Sequence, residues 1–339
     1  MHTVEIKKLA GSLIEITGQI PAGDFEVYRK KAIEELGREI KIDGFRPGMV
    51  PEKVLEEKLG ASSILEKAAE KAIQDVYPKI LRENKIAAIG RPEIVITKIA
   101  KGNPLEFRIK TAVIPEFELP DYKEIAEEIN KEKGEVEVDE KEIEQTIEYI
   151  LQSRKEKTEE GEERVPAFTD DFVKTLGEFK DVDDFKEKIR ENIKKEKEVK
   201  ERERRRLKIL EKIIEKLEIE LPRVLVEAEK DKILMETKAN IEQMGLKWED
   251  YLNQIKKKEE ELLAGWEEDA VKRVKLALVL DKLAEAEKIE VPEDEAREEA
   301  EKLIRYYKER GAEVDESRAK MYIYGILRNE KIFQRLESF

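Results

Sequence analysis

Cysteine and histidine, two residue types that often perform catalysis, are nearly absent from this sequence. It has no cysteine, and its single histidine is His2. These counts exclude disulfides, thiolate chemistry, zinc sites built on Cys and His, and Ser–His or Cys–His catalysis. The 81 acidic residues form carboxylate pairs at every spacing, so no pair stands out as a general acid–base couple. Without a GxGxxG, GxxxxGK[ST], HExxH or GxSxG motif, the sequence predicts a binding protein and not an enzyme.

One stretch has the residue types of a recognition site. Phe45 and Arg46 place an apolar ring beside a guanidinium that suits phosphate or carboxylate. The glycines and prolines around this pair are Gly44, Pro47, Gly48 and Pro51. They disfavour a regular helix or central strand and predict a stiff, exposed loop between two helices. A plain turn, with Phe45 packed into its own domain, is the competing interpretation at this point.

The elements around this loop predict a compact α+β domain over residues 1–115. Alternating apolar residues predict strands within 3–20 and over 93–99 and 105–114, and 3–4 spacing predicts helices over 23–41, 51–60 and 61–83. Helices should cover one face of an antiparallel sheet. The helix over 23–41 should expose Arg29, Lys30, Lys31 and Arg38 as a local basic patch. Its acidic residues Glu34, Glu35 and Glu39 equally fit an ordinary solvated surface.

The composition indicates long solvated helices in the rest of the chain. Charged residues make up 44% of the 339 residues, aromatic residues only 6%, and the net charge is −14. This acidic protein should be repelled by nucleic acid except at a local basic patch. The sequence has no run long and apolar enough for a signal peptide or a membrane span. We therefore expect a cytoplasmic protein with no membrane partner.

Beyond residue 115 we expect helical structure. Residues 116–164 read as a linker and a helix capped at Asp139, with a charged hinge at 155–164, and residues 165–339 read as one all-α domain. The predicted fold is therefore an α+β N-terminal domain followed by an all-α C-terminal body with helical arms, in an elongated multidomain molecule. Apolar residues on the arms could hold unfolded chains loosely, or could be ordinary helix–helix core. The candidates are Met235, Ile241, Met244, Trp248, Met321, Tyr322, Tyr324 and Phe333.

The stretch Gly44 to Pro51 resembles the ribosome-docking signature G-F-R-x-G-x-x-P of trigger factor, a bacterial nascent-chain chaperone. The order of domain, linker helix and helical body is also similar over most of the chain. The resemblance implies that Gly44, Phe45, Arg46, Pro47, Gly48 and Pro51 dock on the large ribosomal subunit at the exit tunnel, on protein and adjacent rRNA. It further implies nascent and unfolded polypeptides as clients, no ATP, cofactor or metal, and a homodimer away from the ribosome. Pro47 stands where a lysine is common, which predicts weaker docking.

The resemblance also implies a prolyl isomerase (rotamase) domain and a link to cell division. About ten residues join the flanks of the hinge, however, which leaves no room for an isomerase domain of roughly 100 residues. Natural absence and deletion of that domain are both open. Two alternatives to the ribosome-docked chaperone also stay open. One is a ribosome-independent holdase or assembly chaperone, and the other is a helical scaffold for one specific partner.

Overall fold

The computed structural model describes residues 3–42, 45–46, 48–132, 134, 136–157 and 163–339. The chain packs into two compact units, each made of two segments. Unit 1 comprises Met1–Glu118 and Glu218–Lys275, and unit 2 comprises Leu119–Leu217 and Leu276–Phe339. The predicted domain boundaries at 115 and 164 stay predictions.

Unit 1 contains a four-stranded antiparallel sheet in the order β1-β2-β4-β3. Its strands are β1 (Thr3–Leu9), β2 (Leu13–Ile20), β3 (Ala88–Lys98) and β4 (Leu105–Val113). Successive side chains of a strand point to opposite faces, so Ile14, Ile16 and Ile20 are buried together on one face. Strand β3 begins five residues earlier than predicted and tolerates Pro92 because the pairing register shifts between Ile89 and Glu93.

Helices α1 (Ala22–Glu39) and α3 (Ala61–Glu83) cover the buried face of this sheet, and α2 (Glu52–Leu59) packs against these two helices. Helix α3 contributes small and branched residues such as Ala72 and Ile80, which pack against Phe107 and Ile109 of β4. A second, smaller cluster is formed where α1, α2 and α3 meet, around Leu55 and Ile64. The α+β fold predicted for the N-terminal part of the chain is therefore confirmed.

The second segment of unit 1 is helical, with α8 (Arg223–Gln243), α9 (Trp248–Ile255), α10 (Glu259–Gly265) and the start of α11 (Glu267–Ala286). Apolar residues Val226, Ile233 and Ala270 form its core. Residues 259–288 have the sequence pattern of one continuous helix, but the structure divides them into α10 and α11. The helix is interrupted at Trp266, which follows Gly265, a poor helix former, and packs against this core.

Apart from one pair of short strands, unit 2 is built from helices. They are α4 (Tyr122–Lys131), α5 (Glu140–Ser153), α6 (Asp170–Leu176), α7 (Val182–Glu215), the end of α11, α12 (Glu293–Lys308) and α13 (Glu316–Glu337). Aspartate side chains accept hydrogen bonds from the first-turn backbone of several of them, including Asp139, Asp181 and Asp315. One core joins Ile143 and Ile147 of α5 to residues of α6 and α7. The predicted all-α character of the C-terminal body is confirmed.

Two details differ from the interpretation of residues 116–164 as linker, helix and hinge. Residues 122–131 form the capped helix α4, because Ile125, Ala126 and Ile129 share one face that becomes buried. Pro120 and Gly134, which suggested a linker, lie outside that helix. Part of the charged hinge forms two short antiparallel strands, β5 (Glu156–Lys157) and β6 (Glu163–Arg164). The rest of the hinge, 158–162, lies outside the described residues.

Candidate functional site

The loop between α1 and α2 is held at both of its described ends. The backbone N–H of Gly48 donates to the carbonyl oxygen of Gly37 at 2.7 Å, and Gly48 adopts a φ of +84° that favours glycine. Ile42 and Val50 pack into the cluster around Leu55. Pro51 then leads directly into α2 with a φ of −62°. The described residues of this loop, which we call the platform, are therefore anchored to α1 and to the cluster around Leu55.

This platform presents its apolar side chains to solvent. Phe45 is 39% exposed and Met49 is 75% exposed, while Arg46 is also exposed. The N–H of Met49 donates to the carbonyl oxygen of Arg46 at 2.9 Å. The plain-turn interpretation required Phe45 to be buried in its own domain, and this side chain is instead partly exposed. Two residues of the predicted site, Gly44 and Pro47, lie outside the described residues. Met49 was not among the predicted site residues, although a large apolar side chain in an exposed loop was a usable signal.

A buried arginine, Arg29, fixes the start of α2 against α1. Its guanidinium donates two bonds of 2.8 Å to Glu26 and one of 2.7 Å to Glu52. Lys101 also donates to Glu52, at 3.1 Å. The hydrogen bond from Arg29 is the largest cause that lowers the pKa of Glu52, to about 2. The expectation that Arg29 belongs to an exposed basic patch is therefore wrong, because two carboxylates compensate its burial.

The other cations of that predicted patch are exposed. Lys30, Lys31 and Arg38 all face solvent on α1. Glu35 of the same helix forms ion pairs with Lys67 and Lys71 of α3, which neutralise it. Glu34 and Glu39 of α1 are exposed as well, so these three cations share the solvent face of the helix with two carboxylates.

The predicted client-binding residues of unit 1 divide into exposed and packed side chains. Met235 and Met244 are largely exposed. Trp248 is half-buried, donates from Nε1 to Glu259 at 2.8 Å and stacks on Tyr251. Ile241 is only 8% exposed, so its side chain offers no surface in this structure. Burial of Ile241 follows from its place on the inner face of α8.

In unit 2 the predicted residues lie on α13, and most of them are exposed. Met321, Tyr322 and Tyr324 face solvent, with Met321 68% exposed. Tyr306 and Tyr307 of the neighbouring helix α12 are exposed as well. A hydrogen bond of 3.0 Å from Lys308 to Glu316 joins the end of α12 to the start of α13. We call these five exposed side chains (Tyr306, Tyr307, Met321, Tyr322 and Tyr324) the aromatic end of the α12–α13 hairpin. Sequence analysis missed the tyrosine pair, whose position just before Gly311 was the available signal.

Phe333 belongs to a structural contact and not to the aromatic end. It is half-buried, and the Arg206 guanidinium lies 5.0 Å from its ring centre. Arg206 of α7 also forms paired hydrogen bonds with Glu330, at 2.7 and 2.9 Å, and with Glu337, at 2.6 and 3.2 Å. This contact joins α7 to α13 within unit 2.

The described residues include no group of His, Asp or Glu side chains that could hold a metal ion. None of the helices in the described part of the chain is both long enough and apolar enough to cross a membrane.

Comparisons with known proteins agree with this arrangement. A family model of the bacterial trigger factor protein matches residues 2–150, and the model of its C-terminus matches residues 181–336. A trigger factor of Thermus thermophilus is 26% identical over 361 positions that cover 86% of this chain and 87% of the relative. Trigger factor of a Geobacillus species is 28% identical and covers 90% of this chain and 91% of the relative.

The alignment lengths reveal a difference in length between this chain and its relatives. The share matched to the Thermus protein is about 290 residues, so about 70 of the 361 aligned positions have no counterpart here. The two family models leave residues 151–180 unmatched between them.

A solved structure of a trigger factor chaperone, described for promiscuous substrate recognition in folding and assembly, has the same fold. It superposes with a TM-score of 0.61, covers 98% of this chain and 99% of its own, and is 18% identical in sequence. The two family models together cover most of the chain, with the N-terminal model before the C-terminal one. The chain therefore belongs to the trigger factor family.

Proposed function

We propose that this chain is an ATP-independent chaperone that docks beside the exit tunnel of the large ribosomal subunit and shields nascent or unfolded polypeptides. The observation that carries the proposal is the loop between α1 and α2, whose described ends are anchored and which exposes Phe45, Arg46 and Met49. The chain belongs to the trigger factor family, and a solved member of that family is described as a chaperone. The alternatives of a ribosome-independent holdase and of a one-partner scaffold are not favoured by the family comparisons.

Docking would combine an apolar and a charged contact. Phe45 and Met49 supply exposed apolar surface for a groove in a ribosomal protein. Arg46 supplies a planar guanidinium that can pair with a carboxylate or an rRNA phosphate. The exposed cations Lys30, Lys31 and Arg38 on α1 add an attraction toward rRNA that the net charge of −14 opposes elsewhere.

Client binding would use exposed apolar side chains within each unit. In unit 1 these side chains are Met235 and Met244, and in unit 2 they are those of the aromatic end of the α12–α13 hairpin. Methionine and tyrosine adapt to many partner shapes without a specific pocket, which suits a chaperone of many clients. We leave Ile241, Trp248 and Phe333 out of this surface because they pack within their own units.

We further propose that the chain has no prolyl isomerase activity. Three observations support this view: the about 70 aligned positions without a counterpart here, the absence of a family match over 151–180, and the short β5–β6 pair at the hinge. The expected rotamase and cell-division links have no support in the comparisons. Docking at the exit tunnel would imply a cytoplasmic location, and a homodimer away from the ribosome stays a prediction for sedimentation analysis.

The test is co-sedimentation of the full chain with bacterial ribosomes at moderate salt. We expect the wild type to pellet and the double variant Phe45→Ala, Arg46→Ala to stay in solution. A matched control removes an exposed aromatic and an exposed arginine elsewhere, Tyr149→Ala with Arg154→Ala, and should pellet like the wild type.

Failure of the wild type to pellet would overturn ribosome docking. Suppression of aggregation of a thermally unfolded client would then identify a ribosome-independent holdase. Activity toward one client only would favour the scaffold for a specific partner.

A further inference from the structure

An open cleft of about 940 Å³ in unit 2 belongs to neither of the surfaces described above. It lies between α7 and the chain segment that precedes α5. Four cations line it, Lys194, Lys195, Arg202 and Arg205, together with the aliphatic side chains of Val136 and Val199. All four cations come from one stretch of α7. In the sequence, this stretch has the charge pattern of an ordinary solvated helix.

The cleft cations differ from their neighbours on α7 in having no ion-pair partner among the described residues. Lys197 pairs with Glu142 at 2.6 Å, Lys200 with Glu196 at 2.6 Å, and Arg204 with Glu201 at 2.8 Å. Within the described ranges, no carboxylate oxygen comes within 4.0 Å of any of the four cleft cations. Arg202 acts only at longer range, where it adds to the hydrogen bond from Arg206 in lowering the pKa of Glu330.

The cleft also contains carboxylates, and the balance of charge is positive. Glu201 is already engaged by Arg204 through two hydrogen bonds. Glu137 and Glu198 remain, so four unpaired cations face two unpaired carboxylates in the described part of the cleft. In a protein with a net charge of −14, such a local excess of positive charge attracts a ligand of the opposite sign.

The dimensions of the cleft fit an extended polypeptide. Lys194 and Arg205 are three helical turns apart, which is about 16 Å along α7. An extended chain covers that distance with about five residues at roughly 3.3 Å each. Val136 and Val199 offer contacts to aliphatic side chains between the charged positions.

We propose that this cleft binds an extended acidic and aliphatic segment of an unfolded polypeptide. The inference rests on the proposed chaperone function, since the segment would belong to a client. A polypeptide fits better than single-stranded RNA for two reasons. Among the described residues that line the cleft, no aromatic side chain is present to stack on a base, and Glu137 and Glu198 would repel phosphates.

The test is fluorescence anisotropy of the full chain with a labelled seven-residue peptide that alternates Glu and Val. We expect Arg202→Gln with Arg205→Gln to weaken binding about fivefold to tenfold, as the loss of two partly solvated charge pairs would give. The control Lys188→Gln with Lys212→Gln changes the net charge equally on the same helix and should stay within about twofold. A second variant, Lys194→Gln with Lys195→Gln, should weaken binding like the first. A peptide with Lys in place of Glu should bind at least about tenfold more weakly.

Several results would overturn the proposal. They are no measurable binding of the Glu–Val peptide, equal weakening in the control variant, or displacement of the peptide by single-stranded RNA that itself binds more tightly. The titration uses an isolated peptide, so its outcome is independent of ribosome pelleting and of aggregation suppression. Normal results in those two assays, with no peptide binding, would reject the cleft as a peptide-binding site and leave the proposed chaperone function in place.

Discussion

At the residue scale, the contact between Gly18 and Phe107 is sensitive to a single atom. The two residues are register partners on β2 and β4. A Cβ atom on Gly18 would lie 2.4 Å from Cζ of Phe107 and 2.8 Å from Cε2. The ring is fully buried, so it cannot move aside without disturbing the helices above it.

We therefore expect Gly18→Ala to lower the free energy of unfolding of unit 1 by about 1–3 kcal/mol, through overpacking. Urea unfolding followed by circular dichroism measures the change. Gly23→Ala is a matched control, because its Cβ would meet no atom within 4 Å in the first turn of α1. A Gly18 variant as stable as the Gly23 variant would contradict the packing described here.

Ionisation of Glu52 makes the free energy of unfolding of the same domain depend on pH. Its pKa falls from 4.5 to about 2 on folding, chiefly through the hydrogen bond from Arg29. Because the folded pKa is the lower one, the stabilisation is complete above about pH 4.5 and is lost as the pH falls toward 2. The Glu52 side chain is 39% exposed, so solvent screening limits the effect to about 1 kcal/mol.

The corresponding experiment compares wild type with Glu52→Gln by urea unfolding at pH 7, 4 and 3. We expect the difference in unfolding free energy to be largest at pH 7 and to shrink at each lower pH. Glu57→Gln, an exposed change on the same helix, should show a small difference throughout. A Glu52 difference that stays constant from pH 7 to pH 3 would argue against the ion pair with Arg29.

At the element scale, the Arg206 contact holds α13 against α7. The Arg206 side chain is only 11% exposed, and both of its carboxylate partners come from α13. Removing the guanidinium would leave Glu330 and Glu337 close together and uncompensated, and would also remove the ring contact with Phe333.

We expect Arg206→Ala to destabilise unit 2 by about 2 kcal/mol, a value reduced from that of a fully buried pair because both glutamates are partly exposed. Arg204→Ala removes an exposed i,i+3 pair of the same helix and should change the unfolding free energy by less than about 0.5 kcal/mol. Thermal unfolding of both variants gives the comparison. Equal effects of the two substitutions would show that the contact between α7 and α13 contributes little.

Regular elements could be predicted from the sequence where one periodicity dominated. The alternation of apolar and polar residues within 3–20 indicated β2, and the cap Asp139 marked the start of α5. Helix α4 was missed because the proline and glycine that flank it suggested a linker, although three apolar residues already shared one face. Propensity describes single positions, whereas burial of a face depends on what packs against it.

The candidate site was less predictable because its decisive properties come from partners distant in sequence. The motif itself does not indicate whether Phe45 is buried or exposed. Burial of Arg29 depends on Glu52, which lies 23 residues further along the chain. The contact of Lys308 at the end of α12 with Glu316 at the start of α13 likewise required the hairpin geometry. Each case needed a tertiary contact that no local pattern encodes.

At the scale of the whole molecule, the proposed function divides its tasks between separate surfaces. The docking loop lies in the first segment of unit 1, and the aromatic end of the α12–α13 hairpin lies in unit 2. No metal, nucleotide or catalytic group links the two tasks in this proposal. Substitutions that share no partners usually have independent effects. Loss of one activity should then leave the other in place.

The last prediction is therefore a double dissociation. We expect Met321→Ser, Tyr322→Ser and Tyr324→Ser together to weaken suppression of client aggregation by about threefold or more, because exposed apolar area is lost. The same triple variant should pellet with ribosomes like the wild type, since the loop is intact. The Phe45→Ala, Arg46→Ala variant should show the reverse pattern, with aggregation suppression kept and pelleting lost. A triple variant that also fails to pellet, with its helices intact by circular dichroism, would mean that docking needs unit 2 and that the tasks are not separable.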